Sequence, residues 1–515
     1  MLQIKHLNMV HKKDLRSLLE DFNLVLNNGD KAVIIGEEGN GKSTLLQWIW
    51  QPDLVAGYCE ASGERILANQ KLGYLPQELA PLDSPKSLYE YFTEEAMFWE
   101  YTPKELGQLA GTFSLGVDFY YSSQPVGTLS GGEKVKAQLL RILLSKPDIL
   151  LLDEPSNDID LETLAGLETL ILEWQGIVLY ISHDETLIEH TANVVVHLEQ
   201  LRHKTACRYT AARMPYEQYR SERLSRFENQ ARIAANDRRE KKLREEKFER
   251  IYQSVSYAQA SISRQNPAKA RLLKKKMHAV KSMERRFARQ DQEMAQMPEE
   301  ESSLFFKLGG EASKLPAGKT ILDYTLEKLC TPDGERVLAE HIRLHLRGAQ
   351  KLCIIGANGA GKTTLLHKLA KELLARTDIR AQYMPQNYEE LLKPSMTPVD
   401  FLDASGDKEA RTKIRTYLGA LKYTADEMDH TISELSGGQK AKIFLLKMSL
   451  SNADVLILDE PTRNFSPLSG PVIRKLLKEF PGAIISISHD RKYISEVCDR
   501  VCRLSKDGLT DLDAL

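Results

Sequence analysis

The chain lacks the features that would tie it to a membrane, a secretory route or a zinc fold. No apolar run approaches the roughly 20 residues of a membrane-spanning helix. Met1-Leu2-Gln3-Ile4-Lys5-His6 opens directly into a strand-like pattern and shows no basic-then-apolar leader, so no secretory signal is expected. Six cysteines (Cys59, Cys207, Cys330, Cys353, Cys498 and Cys502) are scattered without metal-ligand spacing. They are expected to be free thiols in a reducing cytoplasm. Glycine and proline are absent from Tyr216 to Tyr252, which excludes a turn there. The net charge of -2 is small, but it is unevenly spread. Between Arg202 and Met297 stand 25 Lys/Arg against 11 Asp/Glu, which leaves the rest of the 515-residue chain strongly acidic. That one-signed excess points to a local polyanion-binding element.

What the chain does contain is one ordered set of motifs, twice. The first set is Gly36-Glu37-Glu38-Gly39-Asn40-Gly41-Lys42-Ser43-Thr44, then Gln77, Ser130-Gly131-Gly132, Asp153-Glu154 and His183. The second is Gly356-Ala357-Asn358-Gly359-Ala360-Gly361-Lys362-Thr363-Thr364, then Gln386, Ser436-Gly437-Gly438, Asp459-Glu460 and His489. Ser130 to Ser436, Asp153 to Asp459 and His183 to His489 are each 306 positions apart, whereas Lys42 to Lys362 is 320. The register indicates two similar domains, the first carrying about 14 extra residues, mostly between Lys42 and Gln77. Continuous apolar runs at Lys31–Ile35, Ile149–Leu152, Ile177–Ile181, Lys351–Ile355, Val455–Leu458 and Ala483–Ile487 read as buried parallel strands. Alternation with helical patterns such as Ser43–Trp50 predicts an α/β fold.

The middle segment reads differently. Leu224, Phe227, Ala231 and Ala234 keep heptad spacing, as do Val280, Met283, Phe287, Met294 and Met297. Two helices of about 45–55 Å, paired as an antiparallel hairpin with an uncharged tip at residues 251–263, are expected. The boundaries follow: residues 1–205, a basic hairpin at 206–303, and residues 304–515.

Each Gly-rich loop, placed between a strand and a helix, is suited to wrap backbone N–H groups around phosphates. Lys42 and Lys362 would reach the β- and γ-phosphates of ATP, and Ser43 and Thr363 would help hold Mg²⁺. Asp153 and Asp459, ending apolar strands, suit the Mg²⁺ shell. Glu154 and Glu460 suit the polarisation of an attacking water. His183 and His489 close the next strand, within reach of a γ-phosphate.

The Leu-Ser-Gly-Gly segments at Leu129 and Leu435 resemble the signature of ATP-binding cassette (ABC) proteins. That resemblance implies two P-loop NTPase cassettes in tandem, with each signature covering ATP held by the other cassette. One site would pair Lys42, Asp153 and Glu154 with Ser436, Gly437 and Gly438. The other would pair Lys362, Asp459 and Glu460 with Ser130, Gly131 and Gly132. Gln77 and Gln386 match the family's Gln loop, a metal and water sensor.

Two cassettes joined by a basic helical hairpin resemble the ABC-F subfamily over nearly the whole chain. The stretch Asn266-Pro267-Ala268-Lys269-Ala270-Arg271, followed by Lys274-Lys275-Lys276, resembles its second linker helix. The resemblance implies a cytoplasmic monomer whose linker reaches from the ribosomal exit site toward P-site tRNA, large-subunit rRNA and the peptidyl-transferase centre. Pro461-Thr462-Arg463-Asn464-Phe465-Ser466-Pro467-Leu468 resembles resistance-type members, which displace lincosamides, pleuromutilins or streptogramin A. The tip, with Tyr252, Tyr257 and Ser261, would then act at the drug site. Tyrosines there suit base stacking and equally suit packing of the tip. The alternatives are a housekeeping translation factor of the same subfamily, a transporter ATPase and a DNA-repair ATPase.

Three departures qualify the resemblance. Glu38 stands where the family usually has Asn, as at Asn358, and an extra carboxylate beside phosphates repels them unless it turns away. Asp160 is matched by Ser466, so the two sites are expected to be unequal. Val10-His11 and Thr331-Pro332 stand where an adenine-stacking aromatic is usual, so loose base selectivity that admits GTP is expected.

Overall fold

The computed structural model describes the chain except residues 158, 202–205, 261–266, 293–307, 309–314, 332–333, 335, 394, 404–405, 422 and 513–515, and except the side chains of 259, 267–270, 288, 290 and 292. It divides into two compact units: Met1–Tyr216 with Glu301–Leu515, and Glu217–Glu300.

The larger unit holds two six-stranded sheets with the same strand order. In the first, the order across the sheet is Leu72–Leu75, Ile149–Asp153, Ile177–Ile181, Lys31–Ile35, Val194–Leu201 and Ala206–Ala212. In the second it is Ala381–Met384, Val455–Asp459, Ala483–Ile487, Lys351–Ile355, Arg500–Ser505 and Gly508–Leu512. Five strands of each are parallel and the last is antiparallel. Every residue of Ile149–Asp153, Ile177–Ile181, Val455–Asp459 and Ala483–Ile487 is buried, which is why these strands read as unbroken apolar runs. Helix Lys42–Trp50 packs Leu45, Leu46, Trp48 and Ile49 into one core with the first sheet. Leu365, Leu366, Leu369 and Leu373 do the same on the second. Functional loops therefore emerge at the C-terminal ends of neighbouring parallel strands, where α/β sheets bind their ligands.

The extra length of the first copy has a visible form. Its antiparallel ribbon has three strands, Ser17–Leu26, Leu2–His11 and Cys59–Leu67, whereas the second copy pairs only Thr320–Cys330 with Val337–Arg347. Cys59–Leu67 lies inside the predicted window and pairs from His11↔Cys59 to Leu2↔Leu67.

The boundary expected at residue 205 moves. Ala206–Ala212 pairs antiparallel with Val194–Leu201, so the first sheet continues to Ala212. A half-exposed edge strand needs apolar residues on only one face, and this one gives too weak a pattern to register as part of the preceding domain.

The smaller unit is a pair of helices, Tyr216–Ala260 and Pro267–Gln292. Residues 251–260 of the expected tip are helix: the first helix continues to Ala260 and spans about 67 Å, the second about 39 Å, rather than two equal lengths. The expected seam is met in part: Ala234 and Val280 are buried, whereas Leu224 is 58% exposed. Val255 and Leu273, with Phe248, Ala258 and Met277, extend the seam toward that end. Asp291 accepts both Lys241 (2.9 Å) and Arg244 (3.3 Å) from the other helix, and the Phe248 and Phe287 rings meet edge-on at 6.2 Å. Charge and aromatic pairs thus set the register where few aliphatic residues are present. Met294 and Met297 lie outside the described residues.

Candidate active site

Each P-loop begins where a buried strand must turn sharply. Gly36 and Gly356 have φ of 144° and 154°, and an added Cβ would stand 2.3 Å from the Leu198 carbonyl oxygen and 2.6 Å from that of Leu504. Gly41 and Gly361 end the loops in left-handed conformation (φ 86° and 95°), with no side chain capping the following helix. The first N–H groups of helices Lys42–Trp50 and Lys362–Ala375 are thereby left to an anion. Lys42 Nζ donates to the carbonyls of Gly36 (2.8 Å) and Glu37 (3.0 Å); Lys362 Nζ does the same to Gly356 (2.8 Å) and Ala357 (3.1 Å). Asn40 plays a scaffold part, its buried amide donating to the Leu198 carbonyl at 2.9 Å.

One strand separates each P-loop strand from the strand ending in Asp-Glu, and that middle strand carries the histidine. Ser43 Oγ donates to Asp153 Oδ1 at 3.0 Å. Burial, reinforced by Glu154, pushes the Asp153 carboxyl up to about 7; burial pushes Asp459 up to about 6 against its Thr363 hydrogen bond. Asp459 Oδ2 is buried without a hydrogen-bond partner. A buried carboxylate with a free oxygen beside a Ser or Thr hydroxyl is a fitting donor set for a hard divalent cation such as Mg²⁺. Glu154 and Glu460 both sit at φ 50°, a region few non-glycine residues enter. The same strain at the same place in both copies marks a functional turn. Gln386 faces this second site, while Gln77 stands exposed just past Leu72–Leu75.

The two cassettes meet, and each signature faces the other's P-loop. Ser130 and Gly131 line a cavity of about 630 Å³ together with Asn358, Gly359, Gly361, Lys362, Thr363, Thr364, Gln386, Asp459, Glu460 and His489. At the other site, Gly438 N–H donates to Glu38 Oε2 at 2.6 Å, and Lys442 Nζ lies 3.3 Å from Glu37 Oε1. Both signature serines cap their own helices. Ser130 Oγ accepts from Glu133 N–H (3.3 Å) and Ser436 Oγ from Gln439 N–H (3.3 Å), so Gly131-Gly132 and Gly437-Gly438 form the first turns that face the opposite loops, with Gly132 and Gly438 buried.

The histidines differ. His183 Nε2 lies 3.0 Å from Glu154 Oε1, and its Nδ1 lies 2.6 Å from the Phe465 carbonyl of the other cassette. Burial opposes its charge, but the Glu154 carboxylate outweighs burial and raises its pKa; His183 in turn holds Glu154 low against burial. His489 Nε2 is 3.9 Å from Glu460 Oε1, and its buried Nδ1 has no partner. Burial and Lys362 push His489 down to about 4, while burial and Asp459 push Glu460 up to about 8.

Several contributors were not singled out from the sequence. Asn157 Nδ2 donates to Glu154 Oε2 at 2.5 Å, and Arg336, Leu338 and Arg463 line the second cavity beside Thr331. No aromatic stands beside Thr331 in the sequence, but a planar guanidinium such as that of Arg336 also stacks on a base. A charge-segregated contact joins the cassettes next to the histidines. Arg474 pairs with Glu185 (2.7 Å), Lys492 with Glu189 (2.5 Å) and Arg491 with Glu168 (2.9 Å), every acid from the first cassette and every base from the second.

In the hairpin, Tyr252 stacks on Phe248 with centroids 6.1 Å apart, whereas Tyr257 is 78% exposed. Ser261 lies outside the described residues. None of the helices among the described residues is long and apolar enough to cross a membrane.

Comparison with known proteins agrees with this arrangement. The family model described as ABC transporter matches residues 19–157 and 339–463, one segment in each cassette. The chain is similar to the Ribosome protection protein VmlR of Bacillus subtilis (strain 168), at 26% identity over 96% of this chain and 85% of the relative. It is equally similar to the Energy-dependent translational throttle protein EttA of Haemophilus influenzae, at 26% identity over 96% and 90%. The fold is shared with the archaeal ribosome recycling factor aABCE1 solved with ribosomal stalk protein aP1 (TM-score 0.57, 16% identity, 98% of this chain and 90% of that one). With the family matched in both halves, and relatives named ABC transporter F family members of Arabidopsis thaliana aligned over 96% of the chain at 25% identity, the protein belongs to the ABC family of ATP-hydrolysing proteins, in its ABC-F branch.

Proposed function

We propose that this chain is a cytoplasmic, monomeric ribosome-protection factor. Its two cassettes pair within one chain on ATP and Mg²⁺, and its basic hairpin reaches toward P-site tRNA, large-subunit rRNA and the peptidyl-transferase centre. There it displaces lincosamide-, pleuromutilin- or streptogramin A-type antibiotics, and hydrolysis releases it. The observation that carries this reading is the hairpin's one-signed charge. Arg271, Lys274, Lys275, Lys276, Lys281 and Arg285 of its second helix are all exposed, as an element lying among phosphates requires. The name of the VmlR relative supports the protective role. The segregated cassette contact supports pairing in cis, because two first cassettes facing each other would bring Glu185 and Glu189 against their own copies.

In this reading Lys42 and Lys362 bind phosphate, and Ser43, Gln77, Asp153, Thr363, Gln386 and Asp459 serve Mg²⁺. Glu154 and Glu460 polarise the attacking water, and His183 and His489 hold that carboxylate and the γ-phosphate side of the site. The Glu154→Gln/Glu460→Gln chain, slow to hydrolyse, is expected to pellet with ribosomes in ATP. Pelleting no better than an unrelated ATPase sinks the ribosome assignment. Expression of the wild-type chain is expected to raise the inhibitory concentration of lincomycin or tiamulin, and removal of residues 253–263 to abolish the rise. The equal similarity to EttA favours a second reading, a translation factor without drug protection, which predicts ribosome binding with unchanged drug sensitivity.

A further inference from the structure

We propose that Glu38 is a built-in anion that occupies the second signature in place of a γ-phosphate, making the first P-loop site selective against ATP relative to its twin. The inference rests on the reading that Gly36–Thr44 and Ser436–Gly438 form one nucleotide site.

Glu38 sits in the middle of the first P-loop, and its carboxylate crosses to the other cassette. Oε2 accepts the Gly438 N–H at 2.6 Å. Oε1 and Oε2 stand 3.3 and 3.4 Å from where side chains on Gly437 and Gly438 would begin, so the carboxylate and Asn464 together cover the first turn of helix Gly437–Leu450. That turn is the positive end of a 14-residue helix, and the Gly438 N–H that Glu38 takes is one that a signature offers to a terminal phosphate. The neighbouring Glu37 fastens the same junction through Lys442 at 3.3 Å. In the other site the position of Glu38 is held by the uncharged side chain of Asn358; the carboxylate that crosses there, Asp160, accepts from the Asn358 backbone N–H rather than from a signature, and Ser130 and Gly131 line a cavity of about 630 Å³ with Asn358. The carboxylate and a γ-phosphate compete for one set of N–H donors and repel each other at contact distance. A diphosphate ends short of the signature and meets no such competitor. The result is a site in which the P-loop and the opposite signature are already bridged, and in which triphosphate must displace the bridge to bind.

The test uses the full-length chain with Lys362→Ala, which silences the second site, and compares Mg·AMP-PNP with Mg·ADP by calorimetry before and after Glu38→Asn. AMP-PNP affinity is expected to rise at least about tenfold, the scale of one charge-assisted hydrogen bond, while ADP affinity changes less than about twofold. Glu38→Gln, which keeps the shape and removes the charge, is expected to shift AMP-PNP in the same direction. Equal shifts for both nucleotides, or none for either, overturn the proposal while leaving the site assignment intact. A Lys362→Ala chain that binds no nucleotide, against a wild-type chain that binds one, overturns the site assignment and the proposal together.

Discussion

Removing Arg474 should uncouple the cassettes. Its side chain is 3% exposed, its Nη2 lies 2.7 Å from Glu185 Oε2 across the cassette boundary, and its Nε donates to Glu496 Oε2 at 2.8 Å. Glu185 is buried to the same degree, and Lys492 Nζ lies 3.5 Å from it. Arg474→Met removes the guanidinium but keeps an apolar stem of similar length. The consequence is dominated by the carboxylate left behind in a low-dielectric seam, and breaking such a buried pair typically costs about 3–5 kcal/mol. In a domain of this size that corresponds to a fall in melting temperature on the order of 10 °C. The partner substitution decides the cause. If the cost is an unpaired charge, Glu185→Leu added to Arg474→Met should recover more than half of the loss, so the cycle is strongly non-additive. Calorimetric melts of the four chains measure it, and ATP turnover reports whether the sites still assemble. A single variant that melts within about 2 °C of wild type, or a double variant whose loss is the sum of the two singles, refutes the argument.

Burial pushes Asp184 up from 3.8 to about 6, against its hydrogen bond from Leu187 N–H and the charge of Arg491. The folded chain therefore holds that proton more tightly, and stability falls as pH climbs from about 4 to 6. Asp184→Asn, which keeps the helix cap, should remove about 1–3 kcal/mol of that fall in urea titrations run across the range. Ser130→Ala and Ser436→Ala should each lose about 1 kcal/mol as lost helix caps, seen in the melt. Phosphate release should drop further for Ser130→Ala, whose serine lines the open cavity. Leu273→Ala, at the centre of the hairpin seam, should cost about 2–3 kcal/mol and raise hydrogen exchange in residues 244–292 without altering exchange in the strand Ile149–Asp153.

The sheets and P-loops were legible because their signals are local. Ile149–Asp153 is buried on both faces, so five successive positions repeat one instruction. Gly36 is read from chemistry a few residues away. The hairpin was legible only as two charged helices. Its first helix runs through the uncharged stretch because Phe248, Val255 and Ala258 find Met277, Leu273 and Val280 across the seam. The apolar spacing inside one helix does not say which end of it will be paired. The edge strand Ala206–Ala212 was missed for a related reason: half its surface is exposed, and its partner is named only by the hydrogen bonds to Val194–Leu201.

The contacts that distinguish the two sites could not be read from either copy alone. Glu38 and Gly438 stand 400 positions apart, His183 and Phe465 stand 282 apart, and no periodicity links them. The sequence showed that Glu38 replaced an expected Asn, and simple electrostatics left two outcomes: repel a phosphate or turn away. It does both: its carboxylate turns across to the Gly438 N–H of the facing signature, and there it stands against a γ-phosphate. The same logic separates the histidines. Both line the cavity, but His183 Nδ1 reaches the Phe465 carbonyl of the other cassette, whereas His489 Nδ1 is buried without a partner. Divergence between the copies is thus concentrated at the cross-cassette layer, where one substitution changes a site belonging to both cassettes. The strands of the six-stranded sheets and the P-loop glycines, which each cassette needs for its own folding, are repeated in the same order.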